Sequence, residues 1–93
     1  MDNKNILTGK VTEIGQLEQI RRTSKPDIFK QILTIETSDG QKLFPEIRNN
    51  GIKILDREGI IEGVYVEIQY LFQGSEKSGK KYNNILINSI KRI

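Results

Sequence analysis

The chain alternates apolar and polar side chains over most of its length, which predicts β-strands rather than helices. The alternation is cleanest over residues 64–73, VYVEIQYLFQ, where every second side chain from Val64 to Phe72 is apolar and falls on one face. A period of two is typical of a strand with one buried face. We therefore expect residues 64–73 to form the best-buried strand of the protein.

Glycines divide the first predicted strand. Residues 5–22, NILTGKVTEIGQLEQIRR, alternate well enough for a strand but contain Gly9 and Gly15. Glycine inside a strand commonly marks a bulge or a sharp bend. This segment is therefore predicted to be one long, bent strand, and residues 1–4 before it are predicted to be a frayed terminus.

Turn residues delimit the second and third strands. Residues 23–27, TSKPD, predict a loop, because Pro26 lacks a backbone donor and disfavours a helical residue before it. Strands over residues 28–37 and 41–48 flank Ser38, Asp39 and Gly40, which predict a tight hairpin turn. Pro45 requires that the third strand lie at an edge or contain a bulge.

The last part of the chain predicts one helix and one long hairpin. Residues 49–59 break the period of two, and Gly59 is placed to end a short helix of about two to three turns. Residues 74–81, GSEKSGKK, predict a flexible tip between the strand at 64–73 and a final strand at 82–93. The apolar phase of the final strand shifts near Asn88 and Ser89, which indicates another bulge.

This order of elements predicts an all-β fold with one short helix between the third and fourth strands. A five-stranded Greek-key barrel, the OB-fold, removes exposed sheet edges economically. A three-stranded meander with an independent hairpin is the alternative, but it leaves two edges unprotected. A chain of 93 residues supports one modest core, so we expect a single OB-fold domain over residues 1–93.

Composition excludes several kinds of chemistry. The chain has no cysteine and no histidine, which removes thiolate nucleophiles, disulfides and the most common general base and metal ligand. Acidic residues such as Glu36, Asp39 and Glu46 lack a metal-binding spacing, and GSEKSGKK does not match a phosphate-binding loop. We expect no enzyme activity, cofactor or metal. With no signal-peptide pattern or long apolar run, a cytoplasmic location is expected.

Three stretches of the chain resemble a known family. LTGKV at residues 7–11, QILTIETSDGQKLFPEIRNNGIKIL at 31–55, and GVYVEIQY with GSEKSGKKYNNI within 63–85 are similar to short bacterial and phage OB-fold proteins akin to single-stranded DNA-binding proteins. The resemblance spans nearly the whole chain and implies binding of single-stranded DNA. Bacterial proteins of that kind recruit partners through an acidic tail, whereas Lys91 and Arg92 are basic, so we do not expect recruitment by that route.

Binding of single-stranded nucleic acid requires cations that follow the phosphates and flat side chains on which bases stack. The net charge of +3 is mild, so the distribution of the charges decides the question. In an OB-fold the usual platform is the outer face of the second and third strands, flanked by the first and last connections. The predicted nucleic-acid-binding residues lie on that face and those connections: Lys25, Lys30, Lys42, Phe44, Arg48, Lys77, Lys80, Lys81 and Tyr82.

Each of these residues has a purely structural alternative. Phe44 stacks on a base if it faces outward, but it belongs to the core if the strand phase slips at Pro45. Tyr82 stacks beside the tip or packs on the end of the barrel. The lysines follow phosphates or only solubilise the surface, and Arg21 and Arg22 on the first loop complete a clamp or stay solvated.

The sequence therefore favours a non-enzymatic protein that binds single-stranded DNA with little sequence preference, in replication, recombination or repair. The alternative is an OB-fold module for protein interaction or self-assembly through the surfaces of Ile32, Phe44 and Leu71. RNA is a variant of the first hypothesis, because nothing in the sequence distinguishes the 2′-hydroxyl. A homo-oligomer is compatible with both hypotheses.

Overall fold

The computed structural model describes residues 5–93, and within them it contains seven strands, one 3₁₀ turn and one short α-helix. The predicted frayed residues 1–4 lie outside the described residues. The elements in chain order are β1 (Asn5–Ile14), β2 (Glu18–Ile20), β3 (Ile28–Glu36), β4 (Lys42–Leu43), β5 (Glu46–Arg48), the 3₁₀ turn (Asn49–Gly51), α1 (Ile52–Arg57), β6 (Tyr65–Lys77) and β7 (Lys80–Arg92).

The strands form one closed barrel. They follow the order β1-β6-β7-β5-β3-β2, and an additional pairing of β1 with β3 closes the sheet on itself. Strands β5 and β7 are parallel, and the other pairs are antiparallel. If β1 is grouped with β2 and β4 with β5, five strands remain, and the helix lies between the third and fourth. The prediction of an OB-fold is confirmed, and the open meander is wrong because β1 pairs with both β3 and β6.

Gly9 allows the first strand to pair with both β3 and β6. A Cβ atom at Gly9 would lie 2.6 Å from Cγ2 of Ile35 and 2.8 Å from the carbonyl oxygen of Glu36, so only glycine permits this approach of β1 to β3. The β1–β3 register shifts between Val11 and Glu13. The long bent strand is therefore observed as β1 and β2 with a bulge.

The core lies inside the barrel and includes side chains from every long element. The buried apolar residues are Val11, Leu33, Ile35, Ile47, Leu55, Ile60, Val66, Ile68 and Ile90. Leu55 of α1 belongs to this cluster, so the helix packs against the barrel. Gly59 ends the helix in the left-handed region with φ +64°, as predicted, and the backbone N–H of Ile60 donates to the carbonyl oxygen of Leu55 at 2.8 Å.

Two predicted irregularities appear where they were expected. Pro45 separates β4 from β5 and is buried, while its carbonyl oxygen accepts a hydrogen bond from the backbone N–H of Leu33 at 2.9 Å. In β7 the pairing passes from Ser89 to Ile87, and Asn88 is the bulged residue between them.

The last hairpin differs from its prediction. No flexible tip spans residues 74–81, because β6 continues to Lys77, β7 starts at Lys80, and only Ser78 and Gly79 form the turn. Their φ angles of 53° and 80° match the two-residue turn whose twist suits a hairpin. Residues 71–77 of β6 and 80–86 of β7 pair with each other, and this part of the hairpin is here called the ribbon.

The strand predicted to be best buried is buried only in its first half. Val66 and Ile68 of β6 are fully buried, whereas Phe72 is 64% exposed. The alternation continues past the barrel wall, where, among residues 5–93, β6 pairs only with β7 from Leu71 onward. The same pattern therefore produces a buried strand and then an exposed one. Among residues 5–93, no helix has the length and apolar character needed to span a membrane.

Candidate nucleic-acid interface

The predicted platform exists as the outer face of β3, β4 and β5. Lys30 lies opposite Arg48 and Ile32 lies opposite Glu46 in the β3–β5 register. Residues directly opposite one another in a sheet point to the same face. The structure therefore brings Lys30 and Arg48 together, as predicted, on either side of Glu46.

The carboxylate of Glu46 organises this platform. Its side chain is only 8% exposed, Lys30 Nζ lies 3.4 Å from Oε2, and Arg48 Nε donates to Oε1 at 3.0 Å. A carboxylate so deeply buried requires such partners, because an unpaired charge there would lose its hydration without compensation. Both cations remain partly exposed, and the group carries a net charge of +1. Lys30 and Arg48 therefore mainly neutralise Glu46, and only the remaining charge of +1 is offered to a ligand.

Phe44 is exposed. Its side chain is 61% accessible to solvent, while the neighbouring Pro45 is buried. Because consecutive residues of an extended chain point to opposite sides, the inward position of Pro45 turns Phe44 outward. The alternative that placed Phe44 in the core is wrong, and the ring lies beside Lys42, which is also exposed.

A cleft separates this platform from the start of β7. Within the described residues, β5 and β7 share one pair, Glu46 opposite Leu86, and the strands diverge on the side towards β4. The divergence leaves an open cavity of about 250 Å³. Its lining from the platform side is Lys30, Ile32, Lys42, Leu43, Phe44 and Glu46, and from β7 it is Asn83, Asn84 and Ile85.

The two asparagines were not among the predicted site residues. The alternation of the last strand places Asn84 on the same face as Tyr82 and Leu86. Only the parallel contact of β7 with β5 brings that face beside Phe44. The parallel pairing is a property of the barrel topology. The local pattern therefore predicts the face on which Asn84 lies but not that this face is beside Phe44.

The ribbon carries its cations on two different faces. In the β6–β7 register Lys77 lies opposite Lys80 and Ser75 opposite Tyr82, so these four side chains share one face, while Lys81 alternates to the other. The first face is also that of Leu86, and it continues into the platform at Glu46. Tyr82 is about half exposed.

Lys81 occupies a different setting. It lies opposite Glu76 on the second face of the ribbon, so a carboxylate stands across the strand from it. Lys77 and Lys80, in contrast, are like charges placed directly opposite each other, an arrangement that destabilises a hairpin unless an anion is near. The structure therefore divides the three predicted tip lysines into a pair and a separate residue.

The first basic loop lies at the far end of the platform. The β2–β3 register ends at Ile20 opposite Ile28. The loop of residues 21–27 therefore lies past the end of the platform at which Lys30 is found. The ribbon extends towards the other end, beside Lys42. Arg22 is folded back onto its own loop, where Nε and Nη2 donate to the carbonyl oxygen of Pro26 at 2.9 and 2.7 Å. Lys25 is exposed on this loop and is not among the residues that line the cleft.

Comparison with known proteins identifies the fold. Neither a protein-family model nor a curated protein sequence matches the chain. Among solved structures, the second OB-fold domain of replication protein A from Methanococcus maripaludis is similar, with a TM-score of 0.67 and 12% identity over 97% of this chain and 83% of that one. The architecture is an OB-fold.

Two further solved structures are similar over nearly their whole length. The dimeric N-terminal domain of PriB protein from Thermoanaerobacter tencongensis has a TM-score of 0.56 and 18% identity, covering 98% of this chain and 96% of that one. A mitochondrial single-stranded DNA binding protein from S. cerevisiae has a TM-score of 0.51 and 21% identity, covering 100% of this chain and 97% of that one. At these identities the likeness establishes the fold.

Proposed function

We propose that the protein binds single-stranded DNA without catalysing a reaction, with low overall sequence specificity, in replication, recombination or repair. The observation that carries this proposal is the outward position of Phe44 beside Lys42 on a face that continues onto the ribbon. An exposed ring next to cations is the combination that single strands require. Two OB-folds of similar structure support it, since one belongs to replication protein A and one to a single-stranded DNA binding protein.

Different residues would contact the phosphates and the bases. Lys77 and Lys80 are exposed on one face of the ribbon, and Lys42 is exposed on the platform, where Glu36 lies opposite it. These lysines follow the backbone of the strand as point charges. Phe44 and Tyr82 offer flat surfaces on which bases stack in a manner tolerant of sequence. The Glu46 group holds β3 to β5 and gives the platform its shape and a residual positive charge.

Titration of a fluorescently labelled oligothymidine at two salt concentrations tests the proposal. With about three to five phosphate contacts, the logarithm of the association constant falls with the logarithm of salt concentration at a slope of roughly −2 to −3.5. Duplex DNA of the same length is the control and binds more weakly. An RNA strand of matched sequence determines whether the 2′-hydroxyl matters. Absence of binding at low salt, or a response independent of salt, contradicts the proposal.

Self-association is a second candidate function, and the ribbon is the observation that favours it. Leu71 and Phe72 are exposed, and the rings of Phe72 and Tyr70 stack edge to face with centroids 5.4 Å apart. Exposed apolar groups on a hairpin gain from being covered. The similar PriB domain is described as dimeric. Sedimentation of the wild type and of the Phe72→Ala variant tests it: a concentration-dependent dimer lost on substitution supports self-association, and a monomer at all concentrations contradicts it.

A further inference from the structure

A row of side chains leads from the platform across the barrel wall. Lys42 lies opposite Glu36 in the β3–β4 register, and Glu36 lies opposite Lys10 in the β1–β3 register. On the other edge of β1, Lys10 lies opposite Tyr65. Residues directly opposite one another share a face, and Val66 next to Tyr65 is fully buried, so the row lies on the outside of the barrel. With about 4.8 Å between neighbouring strands, Tyr65 is about 14 Å from Lys42 along the wall.

An open cavity lies at the far end of this row. Its volume is about 490 Å³. Its lining contains a ring, a cation, a carboxylate and three hydroxyl-bearing side chains: Tyr65, Lys10, Glu36, Thr8, Thr37 and Ser38. Tyr65 is 56% exposed and Lys10 is also exposed. The cavity therefore repeats, on a different wall of the barrel, the combination of exposed ring and cation found on the platform.

The charges along the row leave a small positive excess. Among residues 5–93, neither Lys10 nor Lys42 belongs to an ion pair. Glu36 lies between the two lysines, so the row carries a net charge of +1. Glu67 follows on the same face of β6 but is paired with Lys91 at 3.2 Å. A lysine contacts a phosphate as a point charge, and a ring stacks on any base. The row therefore suits a single strand without a preference for one base.

We propose that a single strand bound at Phe44 and Lys42 continues over β3 and β1 and stacks a further base on Tyr65, with Lys10 at a neighbouring phosphate. The inference rests on the proposed binding of single-stranded DNA and adds a second contact site on a wall that the platform does not reach. The distance between the two sites corresponds to about four phosphates at the roughly 3.4 Å spacing of a stacked strand, and to fewer if the strand is extended. Only strands long enough to span it therefore gain affinity from Tyr65.

The test compares oligothymidines of graded length, from about 4 to 16 nucleotides, the range of site sizes on OB-folds. Fluorescence anisotropy gives the affinity of each strand. For the wild type we expect the affinity to rise with length until a strand covers both sites. Tyr65→Ala is expected to bind the shortest strands as the wild type does and the longest about tenfold more weakly, because one stacking surface is lost. Tyr65→Phe keeps the ring and is expected to match the wild type at every length.

Charge variants test the phosphate contact. Lys10→Gln is expected to make the salt slope shallower by roughly 0.7 for the longest strands and to leave it unchanged for the shortest. Lys53→Gln is the matched control, because Lys53 is exposed on α1 and lines neither the cleft beside Phe44 nor the cavity beside Tyr65. It removes the same charge, and we expect an unchanged slope.

The outcomes separate the inference from the proposed function. Thermal melting shows that each variant is folded before it is compared. A loss of affinity in Tyr65→Ala that is equal at every length, or no loss at any length, overturns the inference. Equal slopes for Lys10→Gln and Lys53→Gln contradict the phosphate contact at Lys10. Failure of the wild type to bind strands of any length contradicts the proposed function instead.

Discussion

Lys30 Nζ lies 3.4 Å from Oε2 of Glu46, whose carboxylate is buried at the centre of the platform and is also bonded by Arg48. Two cations therefore share one anion at the centre of the candidate interface. The arrangement joins β3 to β5 and lowers the positive charge that those cations would offer to a strand bound as proposed. Glu46 is therefore expected to stabilise the fold and to weaken the attraction for phosphates, and one substitution tests both effects.

Glu46→Gln is expected to destabilise the fold and to strengthen the salt dependence of DNA binding. Loss of the charge leaves two partly buried cations without a partner, and because both are partly exposed we expect about 1–3 kcal/mol rather than the larger cost of a fully buried pair. The freed charge makes the salt slope steeper by roughly 0.7. Urea denaturation and titration at several salt concentrations measure the two effects.

Glu67→Gln is the matched control for that variant. Glu67 pairs with Lys91 at 3.2 Å, but this pair lies at the surface, with side-chain exposures of 31% and 62%. Exposed pairs contribute about 1 kcal/mol or less. We expect a small change in stability and an unchanged salt slope. Equal effects of the two variants on both measurements contradict the special position of Glu46.

Phe44→Ala is expected to weaken DNA binding about tenfold with little loss of stability. Stacking of one base on an aromatic side chain contributes about 1–3 kcal/mol, and an exposed ring contributes little to the core. Phe72→Ala is the control, because Phe72 is 64% exposed against 61% for Phe44 but lies on the other face of the ribbon. Fluorescence anisotropy with oligothymidine compares the two variants. Equal losses of affinity contradict a specific role of the platform in DNA binding.

Lys80→Gln is expected to reduce DNA affinity and to make the salt slope shallower by roughly 0.7. Lys80 stands opposite Lys77 on the face that continues into the platform, and removal of one charge removes one phosphate contact. Lys81→Gln changes the net charge equally, but that lysine faces Glu76 across the strand, so we expect a smaller change. If both variants respond alike, the ribbon acts through total charge and its faces do not matter.

Local patterns predicted most of the elements because each depends on neighbours in the chain. Alternation marked the strands, Gly59 ended the helix, and the phase shift near Asn88 marked the bulge. The extent of the last hairpin is not predicted, because glycine and lysine at its tip are also typical of a flexible loop. The two-residue turn at Ser78 and Gly79 allows cross-strand pairing to continue to the end, and pairing is invisible in either strand alone.

The candidate site was harder to predict than the fold because it joins distant segments. Phe44 faces outward because Pro45 points into the core, and the packing of the core is not visible in the local sequence. The burial of Glu46 depends on Lys30, a residue of another strand. Asn84 entered the cleft only through the parallel contact of Leu86 with Glu46. The binding roles of all nine predicted residues stay predictions, although the structure shows which of them share a surface.

Gly9→Ala is expected to destabilise the barrel by about 1–3 kcal/mol, the usual cost of an overpacked contact. The added Cβ would lie 2.8 Å from the carbonyl oxygen of Glu36, a backbone atom that moves only if β1 separates from β3. Gly74→Ala is the control: its nearest neighbour, the carbonyl oxygen of Tyr82, lies 4.0 Å from the added Cβ. There we expect no loss, or a small gain, because alanine restricts the unfolded chain. Thermal melting compares the two variants, and an unchanged melting temperature for Gly9→Ala contradicts the role of Gly9 in closing the barrel.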